Sequence, residues 1–267
     1  MNITVYDFTG IYENESFDFY KESSRSLLID NTGSQYVSLK SISGTNCICD
    51  DYAREEIKKK CLEASDSFSL VRFFDNGNYH YMSNILIDLM CENTPAGGNL
   101  KFDLVVFDHH TDMKWTSYGE VLSCGSWILN TLKDKDELFR VFIIGADEDL
   151  IKETKSEFPE YEDRAFFIDD VCELEKYEIG KVYISVDKDV LHSDEIATNW
   201  DQGNMSIEKL ENSLRYLKER FGSDILAVDV CGECLPDSAE CYSVRGVKAS
   251  NEVNRMILDV VFGGGID

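Results

Sequence analysis

The run Leu104-Val105-Val106-Phe107 is apolar at every position and stops abruptly at Asp108-His109-His110-Thr111-Asp112. A strand with no polar face must be covered on both sides, which is the situation of a parallel sheet between layers of helices. Three other runs have the same form: Phe68-Ser69-Leu70-Val71-Arg72-Phe73-Phe74, Lys181 to Val186, and Ile225 to Val230. Further strands are expected at Ile3 to Tyr6, Ser26 to Asp30, Tyr36 to Leu39 (after a turn at Gly33), Asn46 to Asp50, Arg140 to Ile144 and Ala165 to Ile168. Amphipathic stretches alternate with them. Ala53, Ile57 and Cys61 share a helical face, as do Leu210, Leu214 and Leu217 after a cap at Ser206. Helices are also expected up to Met90, from Ser123 to Leu132, from Asp149 to Glu157 and from Asn251 to Val261. The alternation predicts a three-layer α/β/α fold with a mainly parallel central sheet. No linker or repeat divides the 267 residues, so a single domain over 1–267 is expected.

Ligands of such sheets gather beyond the carboxyl ends of the strands. In extended backbone alternate side chains share a face, so Asp108, His110 and Asp112 are expected to aim at one point and His109 away from it. His80 follows the first of the four runs, Asp187 and Asp189 the third, and Gly232-Glu233 the fourth. A lone Asp after a strand is usually a cap. Several strand-end carboxylates and imidazoles together are hard to bury without a cation. They exceed what one ion can use and suit two, bridged by carboxylates. Imidazole with carboxylate suits Mn2+, Fe2+ or Zn2+, and an oxygen-rich set favours Mn2+.

The formal net charge is −25, which argues against nucleic acid and anionic membrane as partners and is compatible with a cationic substrate. No apolar run approaches the roughly 18–20 residues of a membrane span. The start lacks the pattern of a signal peptide, so a cytoplasmic location is expected, with the nine cysteines reduced. Cys231 and Cys234 form a Cys-x-x-Cys, but the spacing within the other pair, Cys47-Ile48-Cys49, is wrong for the usual four-thiolate zinc knuckle.

These motifs carry a resemblance. Phe107-Asp108-His109-His110-Thr111-Asp112 resembles the Asp-Ala-His-x-Asp signature of the arginase and agmatinase (ureohydrolase) superfamily, and Ile184 to Leu191 resembles its Ser-x-Asp-x-Asp signature. The segment Asp75 to Ser83 stands in the place of its Gly-Gly-Asp-His-Ser and keeps His80. The resemblance covers Phe68 to Pro236 and implies the arginase/deacetylase-like fold. It also implies two Mn2+ ions, one held by His80, Asp108, Asp112 and Asp187, the other by His110, Asp108, Asp187 and Asp189. A hydroxide between them would attack a guanidino or related amidine carbon, with Asp112 aiding proton transfer, to release urea and an amine. The single-zinc deacetylase branch would not need His80, Asp112 and Asp189 together. Assembly into a homo-oligomer is implied too, although no stretch locates an interface.

The departures bear on substrate. Cys124 stands where the family carries a proton-shuttling His. The family's substrate-binding Glu falls on Gly232, one residue before Glu233, which is the candidate to pair with a guanidinium. The family's contacts to the head group of free arginine are missing. A cationic guanidino small molecule or an arginine within a peptide is therefore expected. The alternatives are a formimino or other amide C–N bond, or a metal-binding relative without turnover. Trp200 is a candidate to stack on a cation, though core packing is the commoner role for such a residue.

Overall fold

The structure, a computed structural model, describes residues 2–21, 33–64, 70–93 and 100–263. Eight strands alternate with helices along it. They are β1 (Asn2–Asp7), β2 (Gly33–Ser38), β3 (Val71–Phe74), β4 (Phe102–Phe107), β5 (Leu138–Ile144), β6 (Ala165–Ile168), β7 (Val182–Asp187) and β8 (Ile225–Cys231). They form one sheet in the order β2-β1-β3-β8-β7-β4-β5-β6. Every neighbouring pair is parallel, so the expected "mainly parallel" sheet is parallel throughout.

Among the described residues six helices of eight or more residues cover it: α1 (Asp51–Glu63), α2 (Met82–Glu92), α3 (Trp127–Asp134), α4 (Glu148–Glu157), α5 (Ile207–Phe221) and α6 (Ala249–Phe262). Three of them, α1, α4 and α5, start on a side-chain cap. The Asp50 side chain accepts from the Ala53 amide, Asp147 from Asp149 and Leu150, and Ser206 from Lys209. The strands alternate between two cores. Val105 and Phe107 pack with Leu210 and Leu214 of α5 and Ile257 of α6. Leu104 and Val106 pack on the other side with Ile57 of α1, Ile85 of α2 and Ile128 of α3. Each such buried aliphatic contributes about 1.5–3 kcal/mol. No helix among the described residues is long and apolar enough to cross a membrane.

Some expected elements differ. Asn46 to Asp50 is not a strand; it makes a single bridge, Ile48 to Ser123. Gly33 opens β2 and is not a turn before it. The helix expected from Ser123 begins as a tight turn over Cys124–Ser126, because Ser123 and Ser126 cap one another. The strand expected at Ser26 to Asp30, residues 68–69 of the strand before His80 and the loop at 94–99 lie outside the described residues.

The consequence for function is positional. β3, β8, β7 and β4 are adjacent at the centre of the sheet. Because they are parallel, their carboxyl ends open at one edge, and the four polar clusters of the sequence arrive together. Asp187 of β7 lies opposite Cys231 of β8, and Phe107 of β4 opposite Val186.

Away from that edge, Asp88 of α2 ties two helices together. Its buried carboxylate meets Lys58 and Arg54 of α1 and Lys135 after α3, with Arg54 Nη2 at 3.2 Å. Burial raises its pKa, but Lys135 and Lys58 outweigh this and hold it below the ordinary value. A depressed carboxyl stabilises the fold above its unfolded pKa of about 3.9 and loses that stabilisation as pH falls through the folded value. Asp88→Asn should therefore cost roughly 2 kcal/mol at neutral pH and flatten the acid limb of the stability curve. Chemical denaturation across pH checks this, and an unaltered acid limb would contradict it.

Candidate metal centre

β4 ends at Phe107, and the residues after it bend out of extended conformation. Strict alternation therefore does not hold through Asp112, which has φ +47° in the left-handed region. The bend still directs Asp108, His110 and Asp112 inward. His80 Nδ1 lies 3.1 Å from Asp108 Oδ2, 2.9 Å from Asp112 Oδ2 and 3.5 Å from Asp187 Oδ2. His110 Nδ1 lies 2.9 Å from Asp189 Oδ2 and 3.4 Å from Asp108 Oδ1. Asp108 thus faces one imidazole with each oxygen. Three ligand-like groups result among the described residues: His80/Asp108/Asp112 and Asp108/His110/Asp189, which share Asp108, and His80/Asp187/Cys231.

Outer contacts fix these side chains. The His110 amide donates to Asp108 Oδ1 (2.6 Å), the Asp189 amide to Asp187 Oδ1 (3.0 Å) and the His109 amide to Asp189 Oδ1 (3.1 Å). Trp127 Nε1 donates to Asp112 Oδ2 at 2.5 Å. His80 Nε2 contacts Ser185 Oγ of β7 at 3.0 Å, which leaves Nδ1 to face the carboxylates.

The electrostatics call for a cation. Four carboxylates, Asp108, Asp112, Asp187 and Asp189, are all buried beside two imidazoles. Even with both imidazoles protonated the group carries excess negative charge. Burial, then Asp187 and Asp108, push Asp189 well above the ordinary carboxylate value. Burial and Asp108 push Asp112 up to about 7. Burial lowers the His80 pKa, but Asp108 and Asp112 outweigh it and hold it well above its usual value. Asp108 Oδ2 is buried with no hydrogen-bond donor. An oxygen-rich set with two imidazoles and an orphaned carboxylate oxygen fits divalent cations.

These residues floor a cavity of about 120 Å3, walled by Gly77, Lys114, Cys124, Leu150 and Trp200. Cys124 is on this wall. Its thiol shares a hydrogen bond with that of Cys47, which with burial pushes it far up, while Cys47 is drawn down to about 7. A thiol so raised stays protonated at neutral pH. Trp200 is 40% exposed, not core; it lines the cavity, with its ring edge-on to His110 and Nε1 donating to Asn78 Oδ1 at 2.9 Å. His109 joins neither ligand group nor the cavity wall.

Glu233 corrects an expectation. It is fully buried away from the cavity, its carboxylate 2.6 Å from the equally buried Lys188 Nζ. It also accepts from Tyr12 Oη (3.0 Å), Asn254 Nδ2 (2.9 Å) and Ser250 Oγ. These four partners turn its carboxylate inward, and Glu233 is not among the residues lining the cavity. Gly232 has φ +91°, and a Cβ there would fall 2.5 Å from Asp187 Oδ1 and 2.6 Å from the Lys188 amide nitrogen. The position where a substrate-binding Glu was sought is thus occupied by the Asp187 carboxylate pressing on bare backbone.

Sequence reasoning missed Trp127, Ser185 and the pairing of Lys188 with Glu233. It read Cys231 only as half of a Cys-x-x-Cys. In the structure Cys231 Sγ lies 3.2 Å from Asp187 Oδ2, while Cys234 neighbours Cys241 and Cys47 neighbours Cys124. No four-cysteine group exists among the described residues.

No family model matches the sequence. An uncharacterised protein of Thermotoga maritima is 30% identical over 263 residues, covering 98% of this chain and 90% of its own. Arginase of Bacillus caldovelox superposes with a TM-score of 0.63 at 11% identity, over 100% of this chain and 99% of that one. A formiminoglutamase variant of Trypanosoma cruzi, solved with Mn2+, gives 0.61 at 14% identity, over 98% and 93%. The fold is that of these arginase and formiminoglutamase structures. The chain belongs to one family with the Thermotoga maritima protein.

A cation that relieves this cluster must stabilise the folded chain. At a free concentration 100-fold above its Kd, Mn2+ should add about 2.7 kcal/mol, several degrees in Tm. Thermal melts with Mn2+ and with chelator check it, and coincident melts would contradict it.

Proposed function

We propose that the protein is a hydrolase of C–N bonds in planar amidine-type groups, guanidino groups first among them. It works with two divalent cations, Mn2+ being the ion the resemblance suggests. The observation that carries the reading is the pair of ligand groups sharing Asp108 at the centre of the sheet edge. His80, Asp108, Asp112 and Asp187 would hold one ion; Asp108, His110, Asp187 and Asp189 would hold the other. When bound, such ions lower the pKa of water and polarise the substrate carbon's nitrogens.

The chain's own residues supply the rest. Asp112, fixed by Trp127 Nε1, takes the proton of the attacking water on a carboxylate oxygen and delivers it to the departing nitrogen. The C–N bond breaks, and the amine leaves with urea as the other product when the substrate is a guanidine. Trp200, at the cavity wall, offers a face for a planar cationic group. A substrate larger than free arginine, such as an arginyl peptide, is included in the proposal because the family's contacts to free arginine are missing from the sequence. Cys124 contributes a neutral thiol to the wall and receives no proton-transfer role.

A second reading has its own support. With Glu233 sealed against Lys188, every carboxylate lining the cavity belongs to the proposed metal cluster, and Lys114 is the lining lysine. That wall suits a formimino-type group on an anionic body, a substrate related to formiminoglutamate.

Product analysis separates the two. Metal-loaded protein should release urea from arginine, agmatine, guanidinobutyrate or an arginyl peptide; formamide or ammonia from a formimino compound would select the second reading. Asp187→Ala should lower turnover by at least about 100-fold, since mutating even an outer-shell partner costs 10–100-fold. Full activity of Asp187→Ala would refute the ligand assignment, and metal binding without turnover on any of these compounds would refute the hydrolase.

A further inference from the structure

The geometry points to Cys231 as a thiolate ligand of the His80 metal position, making that position softer than its neighbour and selecting zinc, cobalt or ferrous ion there. This inference rests on the two-cation reading above and concerns which ions the two positions take.

Cys231 is the last residue of β8 and lies in register with Asp187 at the end of β7. Its Sγ is 3.2 Å from Asp187 Oδ2, and the side chain is fully buried. An imidazole nitrogen of His80, a carboxylate oxygen of Asp187 and the sulfur lie within 4.8 Å of one another. The same imidazole meets Asp108 and Asp112 within 3.1 Å. His80 Nδ1 thus has carboxylate oxygens of Asp108, Asp112 and Asp187 within 3.5 Å, with the Cys231 sulfur beside the last of them. Nitrogen, sulfur and carboxylate oxygens make the kind of mixed set a tetrahedral zinc site uses.

The neighbouring position has no sulfur. Its group is Asp108, His110 and Asp189, all oxygen and imidazole, the set that suits Mn2+. Among the described residues no other thiol joins a histidine and an aspartate in this way. Cys124 lines the cavity but faces Cys47. In the metal-free chain the Cys231 thiol donates to Asp187. On ligation its proton passes to solvent and the sulfur's electron pair forms the bond to the ion.

The bland account is a buried thiol that only braces Asp187, and spectroscopy distinguishes it. Chelator-stripped protein titrated with Co2+ should develop a near-ultraviolet thiolate-to-cobalt charge-transfer band that saturates at one ion per chain. Cys231→Ser should lose the band and bind the first ion at least ~10-fold more weakly, while Cys124→Ser should keep it. X-ray absorption of the wild-type protein loaded with zinc should show one sulfur near 2.3 Å, a readout that does not depend on any variant folding. Bound metal with neither the band nor the sulfur shell would overturn the inference and leave the two-cation reading standing. A band kept in Cys231→Ser and lost in Cys124→Ser would overturn it as well. No binding of either ion would instead bring down the two-cation reading itself.

Discussion

Mutual repulsion among four buried carboxylates is the constraint around which the centre of this protein is arranged. The parallel sheet forces it, because β3, β8, β7 and β4 deliver their carboxyl ends to one place. The fold answers in parts. Backbone amides of His109, His110 and Asp189 donate into the cluster, and Trp127 donates to Asp112. Both imidazoles are drawn toward protonation. These contacts position the carboxylates without neutralising them. A buried charge left uncompensated costs several kcal/mol, and bound cations are the compensation proposed above.

Beneath that cluster a second set of charges is closed off. Lys188 falls between Asp187 and Asp189 in sequence, and its side chain turns inward to Glu233. Ser250 and Asn254 of α6 bond Lys188 Nζ at 2.6 and 3.0 Å and also bond the Glu233 carboxylate. The ion pair thereby holds α6 under the ends of β7 and β8. Gly232, lacking a side chain, lets the chain pass close over the Asp187 carboxylate before Glu233 turns away. One result is structural support for Asp187. The other is a cavity without a spare acid, which shifts the question of substrate from charge pairing with a Glu to stacking on Trp200 and contact with Lys114.

The sequence made the scaffold legible because its signals are local. Apolar runs bounded by polar clusters marked β4, β7 and β8, and capping residues marked α1 and α5. The site's main residues were legible for the same reason: strand ends in a parallel sheet converge, so His80, Asp108, His110, Asp112, Asp187 and Asp189 could be placed together from their positions after apolar runs. What was hidden depends on distant partners. Asp112 reaches the site through a left-handed backbone, not through alternation. Trp127 reads as a core residue until the return of α3 brings it to Asp112. Glu233 reads as a strand-end acid until Tyr12 and α6 surround it. Cys231 has a meaning only from the register of β7 with β8. Asn46 to Asp50 carries the composition of a strand, but its one pairing, at Ile48, is an isolated bridge.

The central claim is that this strand-edge cluster is a site for two cations. Elemental analysis of protein purified with divalent metal supplied, then gel-filtered free of excess ion, tests it most directly. The account expects close to two ions per chain, falling to near zero in Asp187→Ala, whose carboxylate is proposed to serve both positions. A wild-type value near zero would contradict it and leave the carboxylate cluster to be explained by protonation alone.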